Sequence, residues 1–202
     1  MKTAAVHMGL VLAGGESRRM GSDKGLLPFE RYPTLLHRQL SLLQRLPLQR
    51  VMISRHQLLN TPDDLRSCVI SDSNQTHHDG PLAGIYAVAR ACPEATSLLV
   101  LPVDMPLMDQ KSLSLLLETG LSRGCSLHYE NEYFPLFLLL GKREREYLKE
   151  QLETATGNRS VHSLLHLTGA ETLPSPSSTL FANTNTEDDW HTVIESRKSL
   201  YE

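Results

Sequence analysis

Residues Met8–Leu27 read MGLVLAGGESRRMGSDKGLL. The segment starts as an apolar run, breaks at Gly14-Gly15 and continues through two arginines to Lys24. A buried strand that leads into a phosphate-binding loop has this pattern, because glycine lets backbone N–H groups approach an anion closely. We therefore expect the segment to bind the triphosphate of a nucleoside triphosphate, with Arg19 and Lys24 supplying positive charge.

Two widespread phosphate-binding motifs are absent from this segment. It has neither the G-x-G-x-x-G pattern of dinucleotide-binding loops nor the G-x-x-x-x-G-K-[ST] pattern of the P-loop. Its own pattern is GG-x-S-x-R-M-G-x-D-K, which closely resembles the signature of the molybdenum cofactor guanylyltransferase family. That family transfers GMP from GTP to molybdopterin. The alternative without a ligand is an ordinary glycine-rich loop with surface arginines.

Composition narrows the class of protein. The chain has 202 residues and a formal net charge of -3, which gives no general basic surface for nucleic acid. Its three cysteines, Cys68, Cys92 and Cys125, are scattered and odd in number, unlike a zinc site or a disulfide framework. The apolar N-terminal stretch is too short to span a membrane. We expect a cytoplasmic protein with neither nucleic acid nor membrane as a partner.

Apolar runs and helical patterns alternate over the first 120 residues. Strands are predicted over 4–12, 50–54, 67–70 and 97–103, and helices over 33–46, 84–92 and 109–119, the last with Asp109 as N-cap. This alternation predicts an α/β fold with three layers, in which a mostly parallel sheet carries helices on both faces. Ligands of such sheets bind beyond the carboxyl ends of the strands.

The pattern changes after residue 120. Strands are predicted over 126–129 and 134–140, and helices over 142–154, 158–167 and 186–198, the last with Thr186 as N-cap. We treat residues 1–202 as one nucleotidyltransferase domain of the Rossmann-like type. About 1–120 would bind the nucleotide, and about 121–202 would bind the acceptor.

Two residues are the main candidates for catalysis. Asp104 lies in LPVDMP at the end of a predicted strand, and one carboxylate with substrate phosphates suits Mg²⁺; the resemblance implies the same metal role. Lys24, assisted by Arg19, would stabilise charge that develops as pyrophosphate leaves. The alternatives are a turn-capping Asp104 and a solvated Lys24 paired with Asp23 at the surface.

The resemblance also assigns residues to the nucleotide. These are Leu12, Ala13, Gly14, Gly15, Lys24, Asp72, Gly80 and Asp104. Asp72 would accept hydrogen bonds from guanine, and Gly80 begins the GPLAG segment that lines the pocket. Met52 stands where characterised members of the family have an asparagine, and it cannot make that hydrogen bond. Ser54 shares a strand face with Met52, so we hypothesise that it substitutes; unchanged GTP affinity in Ser54→Ala would contradict this.

Segments near the C-terminus resemble the acceptor side of the family. Asn183 and Asn185 match an N-x-N-T motif that helps bind the pterin, although Asn185 also fits a helix cap. GNRSV resembles a family segment on the acceptor side, where Arg159 would pair with a phosphate or a dithiolene-bearing ligand. The neighbouring histidines His77-His78 lack further ligands at suitable spacing, so we interpret them as part of a loop.

The resemblance implies GTP and molybdopterin cofactor as ligands, Mg²⁺ as cofactor, and contacts with molybdoenzymes and their chaperones. Two alternatives stay open. One is the same chemistry with CTP, or with another acceptor such as a sugar phosphate, which Met52 keeps in play. The other is a nucleotide-binding protein that delivers the cofactor without catalysis.

Overall fold

A computed structural model of the protein describes residues 5–14, 23–57, 59–71, 80–154, 156–184 and 186–198. Within these ranges, seven strands form one sheet in the order β3-β2-β1-β4-β6-β5-β7. The strands are β1 (Val6–Leu12), β2 (Arg50–Arg55), β3 (Val69–Ser71), β4 (Ala95–Pro102), β5 (Leu127–Tyr129), β6 (Leu136–Leu139) and β7 (Glu171–Leu173). Only β6 among them runs antiparallel to its neighbours. The sheet is therefore mostly parallel, as predicted.

Helices cover both faces of the sheet. They are α1 (Leu35–Gln44), α2 (Gly80–Ala91), α3 (Gln110–Arg123), α4 (Lys142–Glu153), α5 (Val161–Thr168) and α6 (Glu187–Lys198). Leucines of α1 and α3 pack on one face. Apolar residues of α2, α4 and α5 pack on the other. The predicted three-layer α/β architecture is thus confirmed. None of the helices in the described ranges has the length and apolar content needed to cross a bilayer.

The first strand lies at the centre of the molecule because it is apolar on both faces. Leu10 packs into the core beneath α2, while its neighbour Val11 packs into the core beneath α1 and α3, and both are completely buried. On either side, β1 pairs in parallel with β2 and β4. The carboxyl ends of these three strands meet at one edge of the sheet, where parallel α/β folds place ligands.

The structure differs from the predicted elements at several boundaries. Helix α2 begins at Gly80 rather than at residue 84, because Pro81 is compatible with the first turn of a helix. Residues Asp63–Cys68 form a 3₁₀ helix, so the strand predicted from residue 67 begins only at Val69. The short strand β7 was not predicted. Both predicted caps are confirmed: Asp109 accepts from the Ser112 N–H, and Thr186 accepts from the Asp189 N–H.

The last helix returns the chain to the first half of the sequence. Trp190 of α6 contacts the ring of Phe29 edge-on, with ring centroids 5.6 Å apart. Val193 of α6 is buried against Phe29 and Leu35. This packing draws the segment before α6 toward the loop that follows Lys24, although the two are far apart in sequence.

Close packing of α3 on the sheet yields a stability prediction. A Cβ added at Gly120 would lie 2.1 Å from the Phe137 ring, so Gly120→Ala forces the helix or the ring to move. We expect a loss of about 1–3 kcal/mol in the free energy of unfolding, the usual cost of overpacking. Ser122→Ala, at an exposed position of the same helix, is the control and should be neutral or slightly stabilising. Urea denaturation of both variants measures the difference.

Candidate active site

The exit of β1 is fastened to both neighbouring strands. The Ala13 N–H donates to the Ser54 carbonyl over 2.8 Å, and the Val103 N–H donates to the Leu12 carbonyl over 2.9 Å. The Ala13 carbonyl accepts from Arg55. Backbone groups of Leu12 and Ala13 are therefore largely committed to the protein. Gly14, which is half-buried, is the first described residue of the loop beyond this anchor.

Lys24 lies beside Asp104. Its Nζ is 3.9 Å from Asp104 Oδ2, and the two side chains are 10% and 29% exposed. Lys24 begins a 3₁₀ helix, Lys24–Leu26, and Asp104 follows β4 by two residues. The interpretation of Lys24 as a solvated lysine paired with Asp23 is wrong, because Lys24 is buried and Asp23 pairs with Arg55. A buried ammonium and a carboxylate thus share the carboxyl edge of the sheet.

Burial affects the Asp104 carboxyl group more than its lysine neighbour does. Desolvation raises the pKa of Asp104, while the positive charge of Lys24 lowers it without cancelling the effect. Within the described part of the chain, Lys24 therefore compensates an ionised Asp104 carboxylate only in part. A divalent cation held jointly with substrate phosphates would supply further positive charge, and one carboxylate is a typical protein contribution to Mg²⁺. Asp104 therefore fits a metal role.

Three buried residues hold the loop that carries Asp104. Gln39 of α1 is completely buried, and its Nε2 donates to the Met105 carbonyl over 2.8 Å. Thr184, also completely buried, donates its N–H to the Asp104 carbonyl over 3.0 Å. Arg38 of α1 donates to the Met108 carbonyl over 2.9 Å. Hydrogen bonds therefore hold the loop from two sides, from α1 and from the segment that precedes α6.

Gln39→Leu tests whether this support matters. The substitution keeps the approximate volume but removes the Gln39 donation to the Met105 carbonyl and the Gln39 Oε1 that accepts from Arg38, which costs about 1–3 kcal/mol in stability. We expect that destabilisation together with reduced turnover, because Asp104 loses its fixed position. Gln44→Leu, at an exposed position of the same helix, is the control. Equal unfolding midpoints and equal activity in the two variants would count against this role.

Sequence reasoning missed Gln39, Thr184 and Arg55. Arg55 ends β2 and is 1% exposed, and its guanidinium donates to Asp23, Ala13 and Asn60. A sequence signal was available for Arg55 alone. It is a charged residue directly after the predicted strand 50–54, and the structure places it at the most buried end of β2, beside the exit of β1.

Helix α2 packs closely against the carboxyl ends of β1 and β2 because residue 84 is a glycine. A Cβ at this position would lie 2.4 Å from Ser54 Oγ and 2.7 Å from a Leu12 methyl carbon. Gly80, the first residue of α2, has a φ of +60° in open space, a conformation that favours glycine. Ser54 is completely buried beneath α2, and Met52 is packed in the adjoining core. Substitution of the family's asparagine by Ser54 stays a hypothesis, and base contact would require the hydroxyl to reach the crevice.

Two of the three residues predicted to bind the acceptor, Asn183 and Arg159, lie in the described part of the chain. Asn183 is exposed and directly precedes Thr184, so the structure brings it into the neighbourhood of Asp104. Arg159 is half-buried and lies two residues before α5. The residues before it have structural explanations: a Cβ at Gly157 would lie 1.8 Å from the Gln151 carbonyl, and Asn158 Oδ1 accepts from the Ser160 N–H. Acceptor binding by Asn183 and Arg159 stays a prediction.

Several predicted residues lie outside the described part of the chain. They are Gly15, Arg19, Asp72, His77, His78 and Asn185. Their sequence positions place Asp72 immediately after β3 and Gly15 immediately after Gly14. Among the described residues there is no group of three or more His, Cys, Asp and Glu side chains that could hold a metal. The three cysteines are free.

The arrangement suits chemistry on a polyanionic substrate. The buried Lys24 ammonium and the Asp104 carboxylate lie together at the carboxyl edge of the sheet, where β1 leads into the glycine-containing segment. A cation in such a low-dielectric position stabilises negative charge more strongly than it would in water. A carboxylate that can share a metal ion with phosphates complements it. Together these groups fit the expulsion of a phosphate leaving group.

Comparisons with known proteins agree with this interpretation. The model of the MobA-like NTP transferase domain family matches residues 9–172. A relative from Xanthomonas euvesicatoria pv. vesicatoria, the molybdenum cofactor guanylyltransferase, is 35% identical over 189 residues, covering 92% of this chain and 93% of that protein.

Two solved structures share the fold. The structure of molybdopterin-guanine dinucleotide biosynthesis protein A from Archaeoglobus fulgidus has a TM-score of 0.72 at 21% identity, and the match covers 95% of this chain and 99% of that one. The structure of Rv0371c from Mycobacterium tuberculosis, in complex with manganese, has a TM-score of 0.63 at 20% identity, covering 96% and 100%. At these identities the likeness shows the fold alone.

Proposed function

The chain belongs to the MobA-like NTP transferase family, and on this basis we propose that it transfers GMP from GTP to a molybdopterin-type molybdenum cofactor, with Mg²⁺ and release of pyrophosphate. The observation that carries the proposal is that Lys24 Nζ lies 3.9 Å from Asp104 Oδ2. Lys24 closely follows the segment 14–22, which we call the glycine loop. The choice of GMP and of the acceptor is supported by the name of the Xanthomonas relative.

The reaction needs no covalent intermediate with the protein. A phosphate oxygen of the acceptor attacks the α-phosphorus of GTP and forms the new O–P bond. The bond from the α-phosphorus to the oxygen that bridges to the β-phosphorus breaks, and its electron pair leaves with pyrophosphate. Negative charge grows on the leaving oxygens, and the Lys24 ammonium is the described group suited to stabilise it.

Asp104 would hold the metal ion. When bound, Mg²⁺ supplies positive charge to the phosphate oxygens. The raised pKa of Asp104, which Lys24 offsets only in part, supports this role. Gln39 and Thr184 keep the Asp104 backbone in place. The manganese complex of the Mycobacterium tuberculosis protein is consistent with a divalent cation in this fold.

Calorimetric titration with GTP, CTP, ATP and UTP in Mg²⁺, followed by a pyrophosphate-release assay with molybdopterin cofactor, tests the proposal. We expect preferential binding of GTP and pyrophosphate release that requires the acceptor. Preference for CTP would replace the proposal with cytidylyl transfer. Nucleotide binding without pyrophosphate release in the presence of the acceptor would instead support a non-catalytic delivery protein.

A further inference from the structure

The Arg55 guanidinium joins the two ends of the glycine loop. Its Nη1 donates to the Ala13 carbonyl over 3.2 Å, and its Nη2 donates to the Asp23 carboxylate. Ala13 directly precedes the loop, and Asp23 directly precedes Lys24. We propose that Arg55 is a positioning residue for Lys24. It acts as a clamp that fixes the residues at both ends of the glycine loop, Ala13 and Asp23. This inference rests on the proposed function for its kinetic consequence only.

The burial of Arg55 restricts this position to a side chain that can satisfy several acceptors at once. Arg55 is 1% exposed, and a buried guanidinium is tolerated only when its donors are satisfied. Its remaining hydrogen bonds, from Nε and Nη2, go to the Asn60 carbonyl. The planar fork of arginine can reach three separate acceptors at once, which the single ammonium of lysine cannot do. Because Arg55 is buried among protein groups, its effect on the substrate passes through its neighbours.

Asp23 transmits the constraint to Lys24. While Oδ2 accepts from Arg55, Oδ1 accepts from the Gly25 N–H over 3.0 Å and so caps the 3₁₀ helix that begins at Lys24. The helix lies directly on the guanidinium, since a Cβ at Gly25 would be 3.1 Å from Arg55 Nη1. Arg55 therefore fixes the carboxylate, the carboxylate fixes the turn, and the turn places Lys24 beside Asp104.

Arg55→Lys keeps the charge and removes the fork. Misplacement of a catalytic group by about 1 Å costs roughly 10²-fold in rate, so we expect kcat to fall by about that factor while KM for GTP changes much less. The matched control is Arg145→Lys. Arg145 also donates to several carbonyls, those of Ala89, Cys92 and Ala95, but it joins α4 to the end of α2 and β4 away from the loop. The control should lose stability and keep kcat.

A double-mutant cycle separates positioning from general destabilisation. If Arg55 acts through Lys24, then Arg55→Lys should lower kcat by less than about threefold in a Lys24→Met background, because the group that it positions is already gone. A structural defect unrelated to Lys24 would lower kcat by the same factor in both backgrounds. Equal factors would overturn the proposal.

Hydrogen exchange tests the clamp without any assay of activity. The N–H groups of Gly25, Leu26 and Leu27 all donate within the capped turn. We expect them to exchange about tenfold faster in Arg55→Lys than in the wild type, and at an unchanged rate in Arg145→Lys. Unchanged exchange in Arg55→Lys would overturn the clamp. Faster exchange in a protein that releases no pyrophosphate would instead uphold the clamp and refute the proposed function.

Discussion

Asp104→Asn should lower kcat for GMP transfer by at least about 10²-fold and, at neutral pH, make the metal-free protein more stable. Loss of the carboxylate removes the proposed protein ligand of Mg²⁺, and metal stabilisation of a transition state is worth several kcal/mol. The gain in stability follows from burial, which raises the pKa of Asp104 although Lys24 lowers it.

The sign of the stability effect follows from proton binding. Asp104 has a folded-state pKa above its ordinary value of 3.8, so between these two values the folded protein binds more protons than the unfolded chain. The free energy of unfolding therefore falls as the pH rises through the folded-state pKa. Asparagine has nearly the same shape and no charge, which removes this cost.

Thermal unfolding of metal-free protein between pH 3 and 8 checks the prediction. The variant should unfold at the higher temperature at neutral pH, and the difference should shrink toward pH 3.8, the ordinary pKa of the carboxyl group. Asp109→Asn is the control, because asparagine caps α3 as well as aspartate does; it should leave activity and stability unchanged. A less stable Asp104→Asn protein at neutral pH would contradict the argument from burial.

Lys24→Met is expected to lower kcat/KM by about 10²–10³-fold, the usual cost of removing one preorganised charge-stabilising group. Methionine preserves most of the apolar stem of a side chain that is 10% exposed, so packing changes little. Pyrophosphate release under single-turnover conditions measures the chemical step directly.

The control for Lys24 is Lys142→Met. Lys142 is 88% exposed and pairs with Glu146 four residues later on α4, which is a surface pair of little energetic consequence. Its loss should change neither activity nor the unfolding midpoint by a measurable amount. If Lys24→Met also retained full activity, Lys24 would have no role in charge stabilisation, and its burial beside Asp104 would need another explanation.

Sequence patterns predicted the central architecture because hydrophobic periodicity reports directly on burial. The apolar run of β1 and the leucine spacing of α1 each have one structural explanation, burial on both sides of a sheet or along one helix face. Strand β7 carried no such signal: two of its three residues are exposed, and a three-residue strand is defined by pairing with β5 rather than by composition.

The candidate site was predictable only at the level of residue type. Lys24 and Asp104 could be identified because cationic and acidic residues follow apolar strands. Gln39 could not be identified, because a glutamine in an amphipathic helix is expected to face solvent. Only the structure shows that it donates to the loop that carries Asp104. Thr184 was equally hidden, since its partner Asp104 lies 80 residues earlier in the chain. Long-range polar contacts leave no local pattern.

Strand β6 has a consequence for the biosynthesis of the protein. It covers the outer side of β4 through antiparallel pairing from Ser97 to Val100, and β4 is otherwise an apolar strand of the central sheet. A chain that folded without β6 would present the backbone of β4 as an open edge, the kind of surface that recruits other chains. The newly made chain is therefore protected from self-association only once β6 has joined the sheet.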